Sequence, residues 1–278
     1  MKTSRRSFLK MLLAGGAIGA TGLIASNLGL KLLGSQSSAK PNSTTQQTDQ
    51  KEMKYPYPND PNTAWGMVID LQKCTGCQDY PEGQAPCQTA CREMHNVPPE
   101  MDYIKIYQKQ DNVMQKPYNF PRICMQCENP PCVNICPVGA AFRREDGDGL
   151  VLIDHGRCIG CRLCMAACPY ETRYFNWYKY DEPNKKIIPE DSPYYVTFHP
   201  RGVTDKCDFC GGHLGYRGQI SGCASACPEG ALYYGNLKEN AVTNSKGETI
   251  NVTEIVKARG GYRYKEELGT HPRVYYLP

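Results

Sequence analysis

The 278-residue sequence has no catalytic signature, no surplus of one charge outside its first segment, and no long apolar run beyond Leu33. It contains no G-x-G-x-x-G after a strand, no G-x-x-x-x-G-K-[ST] and no H-E-x-x-H. The commonest dinucleotide, nucleotide and zinc-hydrolase chemistries therefore have no visible machinery here. Five of the 32 basic residues (Lys2, Arg5, Arg6, Lys10, Lys31) and none of the 28 acidic ones lie in residues 1–39, which leaves 27 against 28 in the rest. The basic balance belongs to the first segment and gives no ground for a nucleic-acid partner. The five histidines (His95, His155, His199, His213, His271) are scattered and read as structural or surface residues. No cysteine stands outside a regular pattern.

The sixteen cysteines fall into four groups of four: Cys74/Cys77/Cys87/Cys91, Cys124/Cys127/Cys132/Cys136, Cys158/Cys161/Cys164/Cys168 and Cys207/Cys210/Cys223/Cys227. Each opens with C-x2-C and closes with C-x3-C, and the last three close on proline. The third group reads C-x2-C-x2-C-x3-C-P, the bacterial ferredoxin run for a [4Fe-4S] cluster. Its first three thiolates wrap one face of a small cube, and the fourth sits on a helical turn facing a neighbouring cube. Four groups predict four [4Fe-4S] clusters. A disulfide framework has no reason to repeat this pattern four times, and a four-thiolate zinc site does not require the C-x3-C-P closure.

In two-cluster ferredoxins the fourth cysteine of each motif ligates the other cluster. Adjacent groups two and three then predict Cys124, Cys127, Cys132 with Cys168, and Cys158, Cys161, Cys164 with Cys136. The outer groups pair as Cys74, Cys77, Cys87 with Cys227, and Cys207, Cys210, Cys223 with Cys91. Both outer groups are stretched, with nine residues between Cys77 and Cys87 and twelve between Cys210 and Cys223.

Trp65–Asp70 and Leu150–Asp154 read as short buried strands leading into cluster loops. Pro137-Val138-Gly139-Ala140-Ala141 and Pro228-Glu229-Gly230-Ala231-Leu232 are near copies after closing cysteines. The expected fold is α+β, with two ferredoxin-like modules of two clusters each and β-rich insertions at 96–121 and 170–203. Residues 64–240 form the iron-sulfur domain. Residues 242–258 read as a hairpin around Ser245-Lys246-Gly247, and the apolar tail to Pro278 packs on the body or on a partner, so 241–278 forms a terminal segment. The cluster of Tyr170, Tyr174, Phe175, Trp177, Tyr178 and Tyr180 reads as a packing shield or interface. Lys73, Arg122, Arg157, Arg162 and Lys206 beside the motifs would favour the reduced, more negative state of the nearest cluster, unless they are solvated surface charges.

Ser4-Arg5-Arg6-Ser7-Phe8-Leu9-Lys10 precedes a Gly- and Ala-rich apolar run, the pattern of a twin-arginine export signal. Such a signal carries folded, cofactor-loaded protein across the cytoplasmic membrane, which predicts a periplasmic location. Residues 1–39 are read as the signal, cleaved after Ala39, with retention as an anchor the alternative. Residues 40–63 are read as a flexible linker.

The signal, the four-group ladder, Cys168-Pro169-Tyr170 with Arg173-Tyr174-Phe175-Asn176-Trp177, and the terminal Gly269-Thr270-His271-Pro272-Arg273-Val274-Tyr275-Tyr276 together carry a resemblance. Over residues 64–278 the chain resembles the four-cluster iron-sulfur subunit of the dimethyl sulfoxide, polysulfide and tetrathionate reductase family. It departs from that pattern at Arg92, which stands in place of a proline, and at Gly211-Gly212-His213-Leu214. The resemblance implies a non-catalytic subunit that passes electrons between a quinone-reactive integral membrane subunit and a molybdopterin catalytic subunit. A free periplasmic electron carrier without fixed partners is the alternative.

Overall fold

The computed structural model describes residues 59–97, 101–110, 117–178, 199–210 and 213–278. The signal, most of the linker and Tyr180 lie outside the described residues, and no helix among those described is long and apolar enough to cross a membrane.

The strands in chain order are β1 (Trp65–Asp70), β2 (Lys105–Gln110), β3 (Pro117–Arg122), β4 (Ala141–Arg143), β5 (Val151–Ile153), β6 (Tyr174–Phe175), β7 (Thr204–Asp205), β8 (Leu232–Asn236), β9 (Ala241–Thr243), β10 (Thr249–Asn251), β11 (Tyr262–Arg263) and β12 (Val274–Leu277). The helices are short: α1 (Pro86–His95), α2 (Pro131–Asn134), α3 (Leu163–Ala167), α4 (His213–Tyr216), α5 (Gly222–Ser225) and α6 (Val252–Arg259). The architecture is thus mixed, with few helices and several small sheets. β1 and β5 fall on the two buried strands expected before the first and third cysteine groups.

One larger sheet has the order β10-β9-β8-β1-β12-β11. Its centre is β1, every residue of which is buried. Strand alternation sends Met67 and Ile69 to the main core and Val68 to a smaller core with Tyr233, Val242, Val252 and Leu277. A strand apolar on both faces needs a cover on each side. Cysteines of the first, second and fourth groups lie in the main core, Cys132 and Cys164 in a third small one with Val151, and α6 packs beside the core of Val68.

The C-terminal segment is part of this sheet. β12 runs parallel to β1 with Met67 opposite Val274, while β8 and β9 pair across residue 240. The boundary expected there runs through a hairpin. The expected hairpin of 242–258 also stops early: β9 and β10 pair, but 252–259 is helical. The Asn251 side chain accepts a hydrogen bond from the Glu254 N–H, and Val252, Ile255 and Val256 supply an apolar face at helical spacing. Arg259 in the last turn donates to the Asp70 carboxylate and to the Pro278 carbonyl, tying α6 to the end of β1.

Two-stranded ribbons complete the fold. β2 pairs with β3 and β4 with β5; β6 pairs with β7, with Tyr174 opposite Asp205, joining the chain after the third cysteine group to the chain before the fourth. Of the aromatic cluster, Tyr170 is buried with its hydroxyl against Thr270, whereas Trp177 and Tyr178 are exposed.

Candidate iron-sulfur sites

A local device repeats at the start of each group. The residue before the second cysteine adopts the left-handed conformation in all four: Gly76 (φ 73°), Gln126 (φ 44°), Gly160 (φ 67°) and Phe209 (φ 55°). This curls the C-x2-C loop around its own sulfurs, and two of the four positions bear side chains in a region that favours glycine. Before the loop, Asp70 and Asp154 play identical parts. Each carboxylate accepts backbone N–H bonds two and three residues on, and each carbonyl accepts from the first cysteine of its group, Cys74 or Cys158.

The closing C-x3-C pairs lie on or just beyond helices, where residues four apart share a face. α1 packs against α5 and α2 against α3. Within each helix pair, one cysteine of a closing pair turns to its own group and the other crosses over. Four cavities result. Cavity I is lined by Cys74, Cys77, Cys87 and Cys227, and cavity II by Cys91, Cys207, Cys210 and Cys223. Cavity III is lined by Cys124, Cys127, Cys132 and Cys168, and cavity IV by Cys136, Cys158, Cys161 and Cys164. These are the four sets expected from the spacing, and no two of the sixteen cysteines are joined in a disulfide.

Cavities I and II share α1 and α5; III and IV share α2 and α3. The link between II and III is Gln126, fully buried. Its Nε2 donates to the Cys207 carbonyl at 3.0 Å and its Oε1 accepts from Val151 N at 2.7 Å. The order in space is therefore I-II-III-IV. The cysteines of II are all buried, while Cys161 of IV is exposed and Cys74 and Cys77 of I are half-buried.

The donor sets fit iron-sulfur cubes. Each cavity, with the open solvent at its mouth, spans about 310 to 330 Å³. Among the described residues no three His, Cys, Asp or Glu side chains converge closely enough for a single ion. Burial pushes Cys74 up to about 11 and Cys127 up to about 12, and raises Cys87, Cys91, Cys207 and Cys210 well above the ordinary thiol value. Such crowded thiols become thiolates when a cationic core attracts them. Cys136 goes the other way: burial would raise it, but the backbone N–H groups of Ala141, Val138, Ala140 and Gly139 hold it below the ordinary range.

Two buried cations make the same point. Arg173 donates through Nη2 to Cys132 Sγ at 3.0 Å, while its Nε and Nη1 have no hydrogen-bond partner. Lys206 donates through Nζ to the Cys207 and Val151 carbonyls. Neither pairs with a carboxylate among the described residues. An unpaired buried cation is costly, so the thiolate-bound cube of cavity III is the natural counter-charge.

Hydroxyls line the sulfurs too. Thr204 Oγ1 lies 3.4 Å from Cys164 Sγ, Thr172 Oγ1 3.6 Å from Cys168 Sγ, and Ser221 Oγ 3.5 Å from Cys223 Sγ. Backbone N–H groups of Ala141 and Ala231 reach Cys136 and Cys227, each at 3.4 Å, from the two near-copy turns.

Of the histidines read as structural or surface residues, His95 is buried against a cavity cysteine. Its Nε2 lies 3.3 Å from Cys210 Sγ, across 115 residues of chain. His199 Nε2 in turn donates to the His95 carbonyl at 2.7 Å, and its Nδ1 pairs with Asp205. Burial would raise the Asp205 carboxyl, but His155 and His199 hold it far below the usual range. The only available sequence signal was that His95 stands four residues after Cys91, on the same helical face.

Of the other cations flagged beside the motifs, Lys73 binds Glu248 and Tyr233, Arg122 binds Glu171, and Arg157 pairs with Asp154. Arg162 covers the rings of Phe175 and Trp177 at 5.1 and 4.9 Å. These engagements anchor loops more than they touch sulfur.

Comparison with known proteins places this geometry. Residues 115–186 and 157–232 each match a 4Fe-4S dicluster domain. The menaquinone reductase iron-sulfur cluster-binding subunit of Nitratidesulfovibrio vulgaris is 36% identical over 248 residues, spanning 77% of this chain and 88% of that protein. A selenate reductase subunit of Mesobacillus selenatarsenatis is 38% identical, over 77% of this chain and 71% of its own length. The thiosulfate reductase electron transfer subunit of Salmonella typhi is 34% identical, over 72% and 92%. With sixteen cysteines in four quartets, two dicluster matches and relatives that include an iron-sulfur cluster-binding subunit, a selenate reductase subunit and an electron transfer subunit, the chain belongs to the family of 4Fe-4S iron-sulfur subunits of reductase complexes.

Proposed function

We propose that the chain is a four-cluster relay in two ferredoxin-like modules. It carries electrons between a quinone-linked membrane subunit and a molybdopterin catalytic subunit on the outer side of the cytoplasmic membrane. The observation that carries this reading is the linear order of the four cysteine cavities, with exposed or half-buried cysteines at its ends and only buried ones at cavity II. Bound clusters supply one-electron storage at each station. The protein's part is to hold the thiolates, exclude water from the middle stations and direct N–H and hydroxyl donors at sulfur. In this reading the sixteen cysteines are the iron ligands, in the four sets that line cavities I to IV.

The exposed rim of cavity IV favours a docked subunit over a free carrier. Exposed Val138 and Ile159 line it, exposed Ile135 and Leu163 stand next to its Cys136 and Cys164 in the chain, and exposed Trp177 packs on its Arg162. Apolar groups gathered at one place mark a contact surface. The paired Arg5 and Arg6 supply the export route. Replacing both with lysine keeps the charge but removes the planar guanidinium pair.

Anaerobic analysis should return roughly sixteen iron and sixteen acid-labile sulfide per chain. In the Arg5→Lys/Arg6→Lys strain, loaded precursor should accumulate in the cytoplasm and quinol-linked reduction of the external acceptor should stop. Half the iron would refute the four-cluster relay. Normal export would refute the twin-arginine route.

A further inference from the structure

Cavity III is the station where burial and charge pull in opposite directions. Cys124, Cys127 and Cys132 are buried and Cys168 half-buried, whereas in the neighbouring cavity IV Cys164 is buried, Cys136 and Cys158 are half-buried and Cys161 is exposed. A thiolate-bound cube gains one negative charge on reduction, so burial by itself makes a cluster harder to reduce. On exposure alone, the cluster of cavity III would accept an electron after that of cavity IV.

The two buried cations oppose this order. Arg173, 4% exposed, lies in the wall between the cavities: Nη2 donates to Cys132 Sγ of cavity III at 3.0 Å, and the thiolates of Cys164 in cavity IV and Cys124 in cavity III add to the hold on its charge. Lys206, 3% exposed, bridges a residue of cavity II and one of cavity III. Its Nζ is anchored by the Cys207 and Val151 carbonyls and its charge is felt at Cys132. Arg173 keeps Nε and Nη1 without a partner, so its charge is not spent on a carboxylate. A guanidinium keeps its proton at any working pH, which makes its effect a fixed one.

We propose that Arg173 and Lys206 are the potential-setting residues of the relay, flanking cavity III so that its buried cluster takes an electron before the more exposed cluster of cavity IV. The cations also sit between neighbouring anionic clusters, where they reduce the repulsion an electron on one imposes on the next. The inference rests on the four-cluster relay proposed above.

The test is a potentiometric titration of the anaerobically purified holoprotein followed by electron paramagnetic resonance. The signals of cavities III and IV are assigned through Cys127→Ser and Cys161→Ser. In the unmodified protein the cavity III cluster should be reduced first. Arg173→Gln should lower its reduction equilibrium at least tenfold, or about 59 mV for one electron. Cavity IV should shift less in the same direction, and cavity I should stay in place. Arg173→Lys, which keeps charge but not the fork, should shift cavity III less than the glutamine variant does.

A glutamine variant with full iron and sulfide and an unmoved cavity III overturns the proposal, as does an equal shift of all four clusters. If that variant fails to assemble, the unmodified protein decides alone: cavity IV reduced before cavity III overturns it. Iron content below four clusters in the unmodified protein would instead refute the relay.

Discussion

The two halves of this protein build the same pair of cavities by different means. Cavities III and IV come from consecutive groups, Cys124 to Cys136 and Cys158 to Cys168, separated by the short β4–β5 ribbon. Cavities I and II come from the first and last groups, more than a hundred residues apart, and meet because β1 and β8 are neighbours in the large sheet. Cysteine spacing does the work in the first case. In the second, strand pairing brings the half-motifs together, and their stretched middles are tolerated because the sheet holds both ends. One of the two dicluster matches, 157–232, joins the third and fourth groups, neighbours in sequence whose cysteines line different cavity pairs in space.

The largest effect should come from loosening that sheet. Tyr276 is fully buried, stacks on Phe120 with ring centroids 4.5 Å apart, and donates its hydroxyl to the Pro121 carbonyl at 2.9 Å, at the wall of cavity I. Tyr276→Ala should cost about 3–5 kcal/mol. On mild denaturation the clusters of cavities I and II should be lost before those of III and IV, followed as cluster-resolved loss of paramagnetic signal. Simultaneous loss of all four would show that the halves stand or fall together.

A pair of equivalent glycines sharpens the comparison. Gly160 and Gly76 hold the same left-handed place in their loops, but their surroundings differ. A methyl group on Gly160 would meet the Gly202 carbonyl oxygen at 2.0 Å, a backbone atom that cannot step aside; on Gly76 it would meet the Asn119 side-chain oxygen at 2.5 Å, which can rotate away. Both alanines carry the strain of positive φ, roughly 1–3 kcal/mol. Gly160→Ala should additionally lower iron at cavity IV, while Gly76→Ala should retain cavity I. Equal losses at both sites would mean that loop conformation, not the Gly202 contact, sets the outcome.

The smallest effect concerns the outer half alone. Lys73 and Glu248 pair at 2.7 Å on the surface, joined by Tyr233, with hydrogen bonding raising the lysine and lowering the glutamate from their ordinary values of 10.5 and 4.5. The stabilisation is therefore present between those values. It fades as pH falls through the lowered glutamate value and as it rises through the raised lysine value. Glu248→Gln should cost about 0.2–1 kcal/mol near pH 7, reduced by salt. A thermal melt at low and high ionic strength checks it; a salt-independent loss would point to the Asn244 hydrogen bond instead.

Much of each site was legible in the chain. The C-x2-C and C-x3-C spacings carry the loop and the helical crossover, because one is a matter of local dihedrals and the other of the 3.6-residue turn. The near-copy turns after Cys136 and Cys227 show their function as well, each returning an N–H to its own sulfur. The helix at Val252–Arg259 was hidden by the turn signals before it, since an eight-residue helix depends on its cap and its packing more than on its pattern.

By itself, the order of residues determined the C-x2-C and C-x3-C units that supply the sulfurs, since those depend on contacts a few residues long, whereas the meeting of the first and last groups needed the pairing of β1 with β8. Only the tertiary structure decided what else touches them. His95 reaches Cys210 and Arg173 reaches Cys132 because the sheet and the ribbons bring distant segments into register. The C-terminal strand became the partner of β1 for the same reason: a buried strand must find its backbone hydrogen bonds somewhere, and pairing across two hundred residues leaves no periodic trace in the sequence.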